Sequence, residues 1–217
     1  IAMIEPTPPD EIGQFHEPHL VETDDGRLVA QFRFHAKPAP GKKGREEAQC
    51  KLRQAESRDG GKTWTEITPK GIIPFECTIN KIELSVHAPG RAFVAVQNYR
   101  NNDFKPYILR TNDYGKSWQL LTDGKNGIPS GHFTRAIAED SDKKGLLFAG
   151  TEYGMYVSFD DGAHWQSLQL NLPYTPITDL EVHHGDLAMS TQGRGFWLLE
   201  SVSVLEQLQN EQAKAAL

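Results

Sequence analysis

The sequence predicts an all-β protein, and three observations support that prediction. Short apolar runs, each bounded by glycine or charged residues, recur along the 217 residues as β-strands separated by turns do. The chain contains 19 glycines and 13 prolines, the residues that tight turns require. An eight-residue pattern that suits a hairpin turn occurs three times. Only the tail, 202–217, has the apolar spacing of a helix, with Val202, Leu205 and Leu208 on one face.

The predicted strands follow the apolar runs in chain order. Four runs have the length and composition of strands, namely 28–32, 92–96, 146–150 and 186–190. Two further runs, 107–110 and 155–158, lead directly into a copy of the repeated pattern, and 195–199 is predicted as the closing strand. The segment 36–47 is rich in proline, glycine and lysine and is predicted to be a mobile loop.

The repeated pattern is Ser/Thr-x-Asp-x-Gly-x-x-Trp, and it occupies 57–64, 111–118 and 158–165. The hydroxyl and the carboxylate can accept hydrogen bonds from nearby backbone N–H groups, glycine can adopt a positive φ, and tryptophan can cover the turn. We therefore predict three hairpin turns of the same chemistry. Their structural residues are Asp59, Gly61 and Trp64, then Asp113, Gly115 and Trp118, then Asp160, Gly162 and Trp165.

The spacing of the repeats predicts the architecture. The three tryptophans are 54 and 47 residues apart, and a period near 50 is typical of propeller blades with four antiparallel strands each. A chain of 217 residues then holds about four blades. Four is the lower bound for a closed ring, so three arrangements remain open: a small propeller, part of a larger ring, or a protomer that completes its ring by self-association.

Composition excludes several classes of protein. A net charge of −6 is unlike that of a nucleic-acid binder, and no apolar run approaches the roughly 20 residues of a membrane helix. Cys50 and Cys77 have no neighbouring ligands at zinc spacing, and the repeats lack the aspartate ladder of a calcium loop. We therefore predict no metal, no cofactor, no nucleic-acid partner and no membrane partner.

The repeated pattern resembles the Asp-box, or BNR repeat, of sialidases, xyloglucanase-type glycosidases and sortilin-type receptor domains. Residues 15–67 are similar to the sialidase segment that carries a glutamate and, after a hairpin, an arginine; Glu17 and Arg33 match them. The resemblance implies that Glu17 is catalytic, polarising a tyrosine nucleophile, and that Arg33 grips the carboxylate of the substrate. Arg53 and Arg110, which precede two of the repeats on strands, are further candidate substrate-binding residues.

Residues 80–201 instead resemble the last blades of xyloglucanase-like or sortilin-like BNR proteins, and 68–80 is predicted to be a junction between the two pieces. The domain assignment is a propeller over 1–201 and a helical tail over 202–217. The arginine of the sialidase F-R-I-P motif and the aspartate acid/base that follows it are absent, and no tyrosine is identified as the nucleophile.

The resemblance implies a glycoside-hydrolase-like, exo-sialidase-related propeller that acts on or binds glycans, with sialic acid as the candidate ligand. Two alternatives remain open. One is a non-catalytic sortilin-like propeller that binds protein or glycan partners, and the other is a partial propeller that needs partner blades. The family resemblance favours an extracellular or periplasmic location.

Overall fold

The computed structural model describes residues 13–22, 26–36, 50–63, 65–69, 71–74 and 77–215. They form fifteen strands and one C-terminal α-helix, which confirms the predicted all-β class. The strands lie in four antiparallel sheets, and within each sheet every strand pairs with its neighbours in the sequence. Such a meander is the unit of a propeller blade. Trp64 and residues 37–49 lie outside the described residues, so the predictions made for them are not tested.

The strand bounds are as follows. The first sheet contains β1 (Gly13–Glu22), β2 (Leu28–Ala36), β3 (Cys50–Ser57) and β4 (Thr65–Glu66). The second contains β5 (Thr78–Leu84), β6 (Ala92–Asn98), β7 (Asp103–Thr111) and β8 (Gln119–Leu120). The third contains β9 (Thr134–Glu139), β10 (Leu147–Thr151), β11 (Met155–Ser158) and β12 (Gln166–Ser167). The fourth contains β13 (Ile177–His183), β14 (Asp186–Thr191) and β15 (Phe196–Leu199), and the helix α1 follows (Ser203–Ala215).

The fourth sheet differs from the expected blade because its described strands number three. The strand predicted to close the structure is β15, which is the third strand of that sheet and pairs with β14. No fourth copy of the repeated turn follows it in the sequence, and the chain instead enters α1.

The chain divides into two compact units, Ile1–Thr78 and Ile79–Leu217. The first unit contains the first sheet, and the second unit contains the other three sheets and the helix, apart from Thr78 at the start of β5. The boundary between the units lies inside 68–80, for which the sequence predicts a junction. That these units are two propeller pieces stays a prediction.

The three repeated turns connect the third and fourth strands of the first three sheets and share one hydrogen-bond pattern. In the second turn, the Thr111 hydroxyl donates to Asp113 at 2.9 Å and accepts from the Gly115 amide at 2.8 Å. The Asp113 carboxylate also accepts a hydrogen bond from the Ser117 amide, at 2.9 Å. The same bonds recur around Asp59 and Asp160, at 2.8–2.9 Å. The same side-chain hydrogen bonds are therefore present in all three turns, and the role of the tryptophans stays a prediction.

These turns share two properties, which are the backbone conformation of their glycines and the lowered pKa of their aspartates. Gly61, Gly115 and Gly162 have φ of 86°, 81° and 86°, a region that favours glycine. Hydrogen bonds from the side chain and the backbone of Thr63 hold the pKa of Asp59 well below its ordinary value. Hydrogen bonds from Ser117 lower the pKa of Asp113 in the same way.

Two apolar clusters hold the second unit together. One lies between the second and third sheets and contains Phe93, Ile108, Ile137, Leu147 and Trp165. The other lies between the third and fourth sheets and contains Phe148, Met155, Ile177, Leu180 and Leu187. Each of these fully buried aliphatic or aromatic side chains contributes about 1.5–3 kcal/mol by leaving water.

The helix packs through its first turns. Val202 is buried in the second apolar cluster and Leu205 packs against it, as the sequence predicts. Leu208, predicted on the same apolar face, is 42% exposed. One residue further on, the Gln209 amide donates to the carbonyl of Phe159 at 3.1 Å, so this part of the helix is attached by a polar contact instead.

Antiparallel pairing gives the sheets of the second unit two distinct edges. The turn edge carries the connections 85–91 and 140–146 together with the repeated turns 112–118 and 159–165. The loop edge, at the opposite ends of the strands, carries the connections 99–102, 121–133, 152–154, 168–176 and 192–195.

Candidate functional site

The turn edge encloses a network of buried charges. Arg91 donates to Glu139 at 3.0 Å and also to Asp161, and the side chains of Arg91 and Glu139 are only 4% and 2% exposed. Burial alone would lower the pKa of Arg91, but hydrogen bonds with Asp161 and Glu139 outweigh it and raise the pKa. These charges join β6, β9 and the third repeated turn, so the network links two neighbouring sheets.

Arg110, a predicted substrate-binding residue, belongs to the same edge. Its guanidinium donates to the carboxylate of Asp161 and, at 2.7 Å, to the side-chain oxygen of Gln119. It lines a cleft of about 370 Å³ beside the third repeated turn. Arg110 is therefore bonded to the third repeated turn in this structure, and the role of Arg110 in binding a substrate stays a prediction.

The other residues of this cleft are also held by internal hydrogen bonds. The Asn126 amide donates to the carbonyls of Leu121 and Ala163, at 2.9 and 3.1 Å, and the Trp165 indole N–H donates to Leu121 at 3.2 Å. The cleft thus lies where the connection after β8 packs on the third repeated turn.

The loop edge carries aromatic rings and the ion pair between Arg135 and Glu152. The rings of Tyr99 and Phe133 stack with centroids 5.0 Å apart, and the Arg135 guanidinium lies 5.8 and 5.2 Å from them. Arg135 Nε donates to Glu152 at 2.7 Å. Arg135 is the second residue of β9 and Glu152 follows β10, so adjacent strands bring the pair together.

A second group of rings continues the same edge. The rings of His132 and Tyr153 are 4.6 Å apart, and the Tyr156 hydroxyl is 2.9 Å from His132 Nδ1. Tyr153 is 45% exposed and Tyr174, on the connection to β13, is 82% exposed. Burial lowers the pKa of His132, and burial together with the nearby Tyr174 raises the pKa of Tyr156. At neutral pH, the imidazole and the phenol are both uncharged.

We call this set of residues the aromatic cluster; its members are Tyr99, His132, Phe133, Arg135, Glu152, Tyr153, Tyr156 and Tyr174. Exposed rings beside a few fixed polar groups are typical of sites that bind small molecules. The rings offer flat apolar surface, whereas the histidine and the ion pair offer hydrogen bonds.

A further charged group lies on the inner strands of the second unit. Lys81 on β5 is 3.1 Å from Asp179, 3.7 Å from Glu181 and 3.6 Å from Glu83. Burial raises the pKa of Glu83 to about 7, against the attraction of Lys81. Among the described residues, no group of three or more His, Cys, Asp or Glu side chains is arranged to hold a metal ion.

The sialidase-like residues of the first unit are described by their backbone. His16 pairs with Arg33, and Glu17 lies in the irregular step between His16 and His19, so strand pairing places residues 17 and 33 close together. Arg53 on β3 pairs with Phe32, one position from Arg33. The catalytic role of Glu17 and the binding roles of Arg33 and Arg53 stay predictions, because their side chains lie outside the described part of the structure.

The sequence patterns did not identify His132, Glu152, Tyr153 and Tyr174 as members of one site. They also missed Tyr99, Phe133, Arg135 and Tyr156 as members of one site. The available signal was topological. His132 precedes the first strand of a sheet and Tyr153 lies between its second and third strands, and antiparallel pairing places both positions at the same edge.

No family model and no curated protein sequence matches the chain. The extracellular domain of a one-component system protein from B. thetaiotaomicron is similar in structure, with a TM-score of 0.52 and 13% identity over 83% of this chain and 21% of its own. The Hadza microbial sialidase has a TM-score of 0.52 and 15% identity over 85% of this chain and 43% of its own. The GH74 enzyme of Niastella koreensis has a TM-score of 0.47 and 16% identity over 85% of this chain and 28% of its own.

The similarities to the extracellular domain and to the sialidase show the fold class, which is that of a β-propeller-like protein built from antiparallel meanders. The chain spans about a fifth and about two fifths of the first and second of these structures. Within the described residues, no helix combines the length and apolar character that crossing a bilayer demands.

Proposed function

We propose that the chain is an Asp-box β-propeller protein that binds glycans at the loop edge of its second unit. The three repeated turns support the Asp-box assignment, because the same side-chain hydrogen bonds recur in each copy. The fold that the chain shares with a sialidase is compatible with a glycan ligand, although a shared fold alone is weak support for function.

The aromatic cluster is the observation on which the proposal rests. The C–H faces of a sugar ring pack on aromatic rings, and the sugar hydroxyls need polar partners beside those rings. Tyr153 and Tyr174 supply exposed rings, while His132 supplies a polar group that the Tyr156 hydroxyl holds in place. At the turn edge the corresponding charged groups are bonded to one another and buried.

A glycan array probed with the labelled chain tests the proposal. We expect neutral oligosaccharides to bind, and the double variant Tyr153→Ala/Tyr174→Ala to lose affinity by about tenfold or more, since two stacking surfaces are removed. Val86→Ala is the matched control, because Val86 is an exposed apolar residue at the turn edge. An array without signal, or an equal loss in the control, contradicts the proposal.

Hydrolysis of sialosides is the second candidate function, favoured by the placement of Glu17 beside Arg33 in the β1–β2 pairing. An arginine fork suits the carboxylate of sialic acid. Release of a fluorogenic sialoside by the wild-type chain, and its loss in Arg33→Ala but not in Arg58→Ala, would support it. Arg58 is the control because it is a largely exposed arginine of the same unit. Glycan binding without any turnover would instead favour the non-catalytic, sortilin-like alternative.

A further inference from the structure

We propose that His132 is the polar recognition residue of the aromatic cluster, and that Tyr156 is the positioning residue that fixes its tautomer. In this arrangement the neutral imidazole of His132 donates its Nε2–H to an oxygen of an uncharged sugar unit stacked on Tyr153. The inference rests on the proposed glycan binding and identifies the ligand class and the residue that selects it.

The contact between Tyr156 and His132 determines which imidazole nitrogen carries the proton. The Tyr156 hydroxyl lies 2.9 Å from His132 Nδ1, and Tyr156 is 9% exposed, so its hydroxyl hydrogen has little access to water. A phenol is a better donor than an imidazole, and an unprotonated imidazole nitrogen is a better acceptor than a phenol oxygen. The hydroxyl therefore donates to Nδ1, and the hydrogen of the neutral ring resides on Nε2.

The Nε2–H group is available to a ligand. No described residue accepts a hydrogen bond from it, whereas Nδ1 is occupied by Tyr156. The ring itself is held against Tyr153, whose exposed side chain forms an adjoining flat surface. A ligand that carries an acceptor oxygen at its edge can pack on the Tyr153 ring and accept the hydrogen bond of His132 Nε2–H at the same time.

The ion pair of the cluster offers a ligand no net charge. Arg135, a cation that lies over Tyr99 and Phe133, is paired with Glu152 at 2.7 Å, so the two charges cancel. His132 Nε2–H is a neutral donor, because burial lowers the pKa of His132. The hydroxyl and ring oxygens of a neutral sugar can accept a hydrogen bond from such a donor. The carboxylate of a sialic acid would need a cation, and Arg135 is already paired with Glu152.

Three variants separate the role of the donor from that of the ring. His132→Gln keeps an N–H donor near the position of Nε2, and His132→Phe keeps a ring without a donor. We expect cellohexaose affinity to change by less than about threefold in the first and to fall by about tenfold in the second. Tyr156→Phe, which frees the tautomer of His132, should lower the affinity by about threefold to tenfold.

Tyr107→Phe is the matched control for Tyr156→Phe. Tyr107 is a buried tyrosine at the corresponding strand of the neighbouring sheet, and its hydroxyl donates to Asp103 at 2.7 Å. The control removes a buried hydroxyl without touching His132. We expect a similar loss of thermal stability in both variants and a change in glycan affinity only in Tyr156→Phe.

The deciding experiment records the ring nitrogen signals of His132 by two-dimensional NMR while cellohexaose and 3′-sialyllactose are titrated in parallel into the full chain. We expect the free protein to show protonated Nε2 and unprotonated Nδ1, cellohexaose to shift the Nε2 signal, and Tyr156→Phe to mix the tautomers. Glycan binding with the opposite tautomer, with an unmoved Nε2 signal or with preference for the sialoside would overturn the inference and leave the proposed function intact. Absence of binding by every glycan of the array would overturn both.

Discussion

At the turn edge of the second unit, the Arg91 side chain contacts Glu139 and Asp161 and is 4% exposed. At the loop edge, Arg135 contacts Glu152 beside a group of rings of which two, Tyr153 and Tyr174, reach far into solvent. The two edges thus use the same pairing of arginine with carboxylate in different surroundings. Full burial makes the first pair a structural element, because a charge left unpaired there would be costly. The second pair is partly exposed and lies beside the aromatic rings where we propose that a ligand binds.

Replacing the arginine at each edge gives the largest expected difference between them. Arg91→Met leaves Glu139 buried and without its cation, and we expect it to lower the free energy of unfolding by about 3–5 kcal/mol. Arg135→Met removes a more accessible pair and should cost about 1 kcal/mol. Chemical denaturation followed by tryptophan fluorescence measures both values, and equal losses would contradict the distinction between the edges.

Two glycines with the same backbone conformation sharpen the comparison. Gly162 at the turn edge and Gly193 at the loop edge have φ of 86° and 83°, so alanine is strained at either position. A Cβ at Gly162 would meet the Leu121 side chain at 2.8 Å, whereas a Cβ at Gly193 would meet nothing within 4 Å. We expect Gly162→Ala to cost about 3 kcal/mol and Gly193→Ala about 1 kcal/mol in thermal unfolding. A larger loss for Gly193→Ala would show that the loop edge is the more tightly packed.

The pH dependence of stability tests the effect of burial on Glu83, which precedes the last residue of β5 near the turn edge. Burial raises the pKa of Glu83 from its ordinary value of 4.5 to about 7, so the folded state favours the protonated acid. Its contribution to stability is present below pH 4.5 and is lost as the pH rises through 7. The free energy of unfolding of Glu83→Gln, which stays uncharged, should therefore match that of the wild type near pH 4.5 and exceed it by about 3 kcal/mol at pH 8.

Melting temperatures of both proteins across that pH range give the comparison. Thr178→Ala, an exposed polar residue on the nearby β13, serves as the control and should run parallel to the wild type at every pH. A wild-type chain that is the more stable of the two at pH 8 would mean that the ion pair between Lys81 and Glu83 outweighs the cost of burial.

The repeated turns could be predicted from the sequence because their interactions are local. Asp113 and Ser117 are four residues apart, and the hydroxyl, carboxylate and glycine of each turn form their bonds within one octapeptide. A local pattern of this kind needs no knowledge of the fold. No copy of the pattern follows β15, and the last sheet has three strands among the described residues.

The aromatic cluster could not be predicted in the same way because its contacts are long-range. Tyr99 and Phe133 stack although they come from different sheets, and Arg135 meets Glu152 only after β9 and β10 have paired. The exposure of Leu208 on the helix could not be predicted for a similar reason. The spacing of Leu208 matches that of Leu205, but the surface under the helix ends in a polar contact at Gln209, so Leu208 remains exposed.

The central claim is that the loop edge binds a glycan and that the turn edge stabilises the fold. Hydrogen exchange of the full chain tests this claim most directly, when it is measured with and without the neutral oligosaccharide that binds best on the array. We predict slower exchange at 99–102, 131–135, 152–156 and 172–176 when the glycan is present, and no change at 112–118 or 159–165. Protection confined to the repeated turns or to the first unit, with none at the loop edge, would contradict the account.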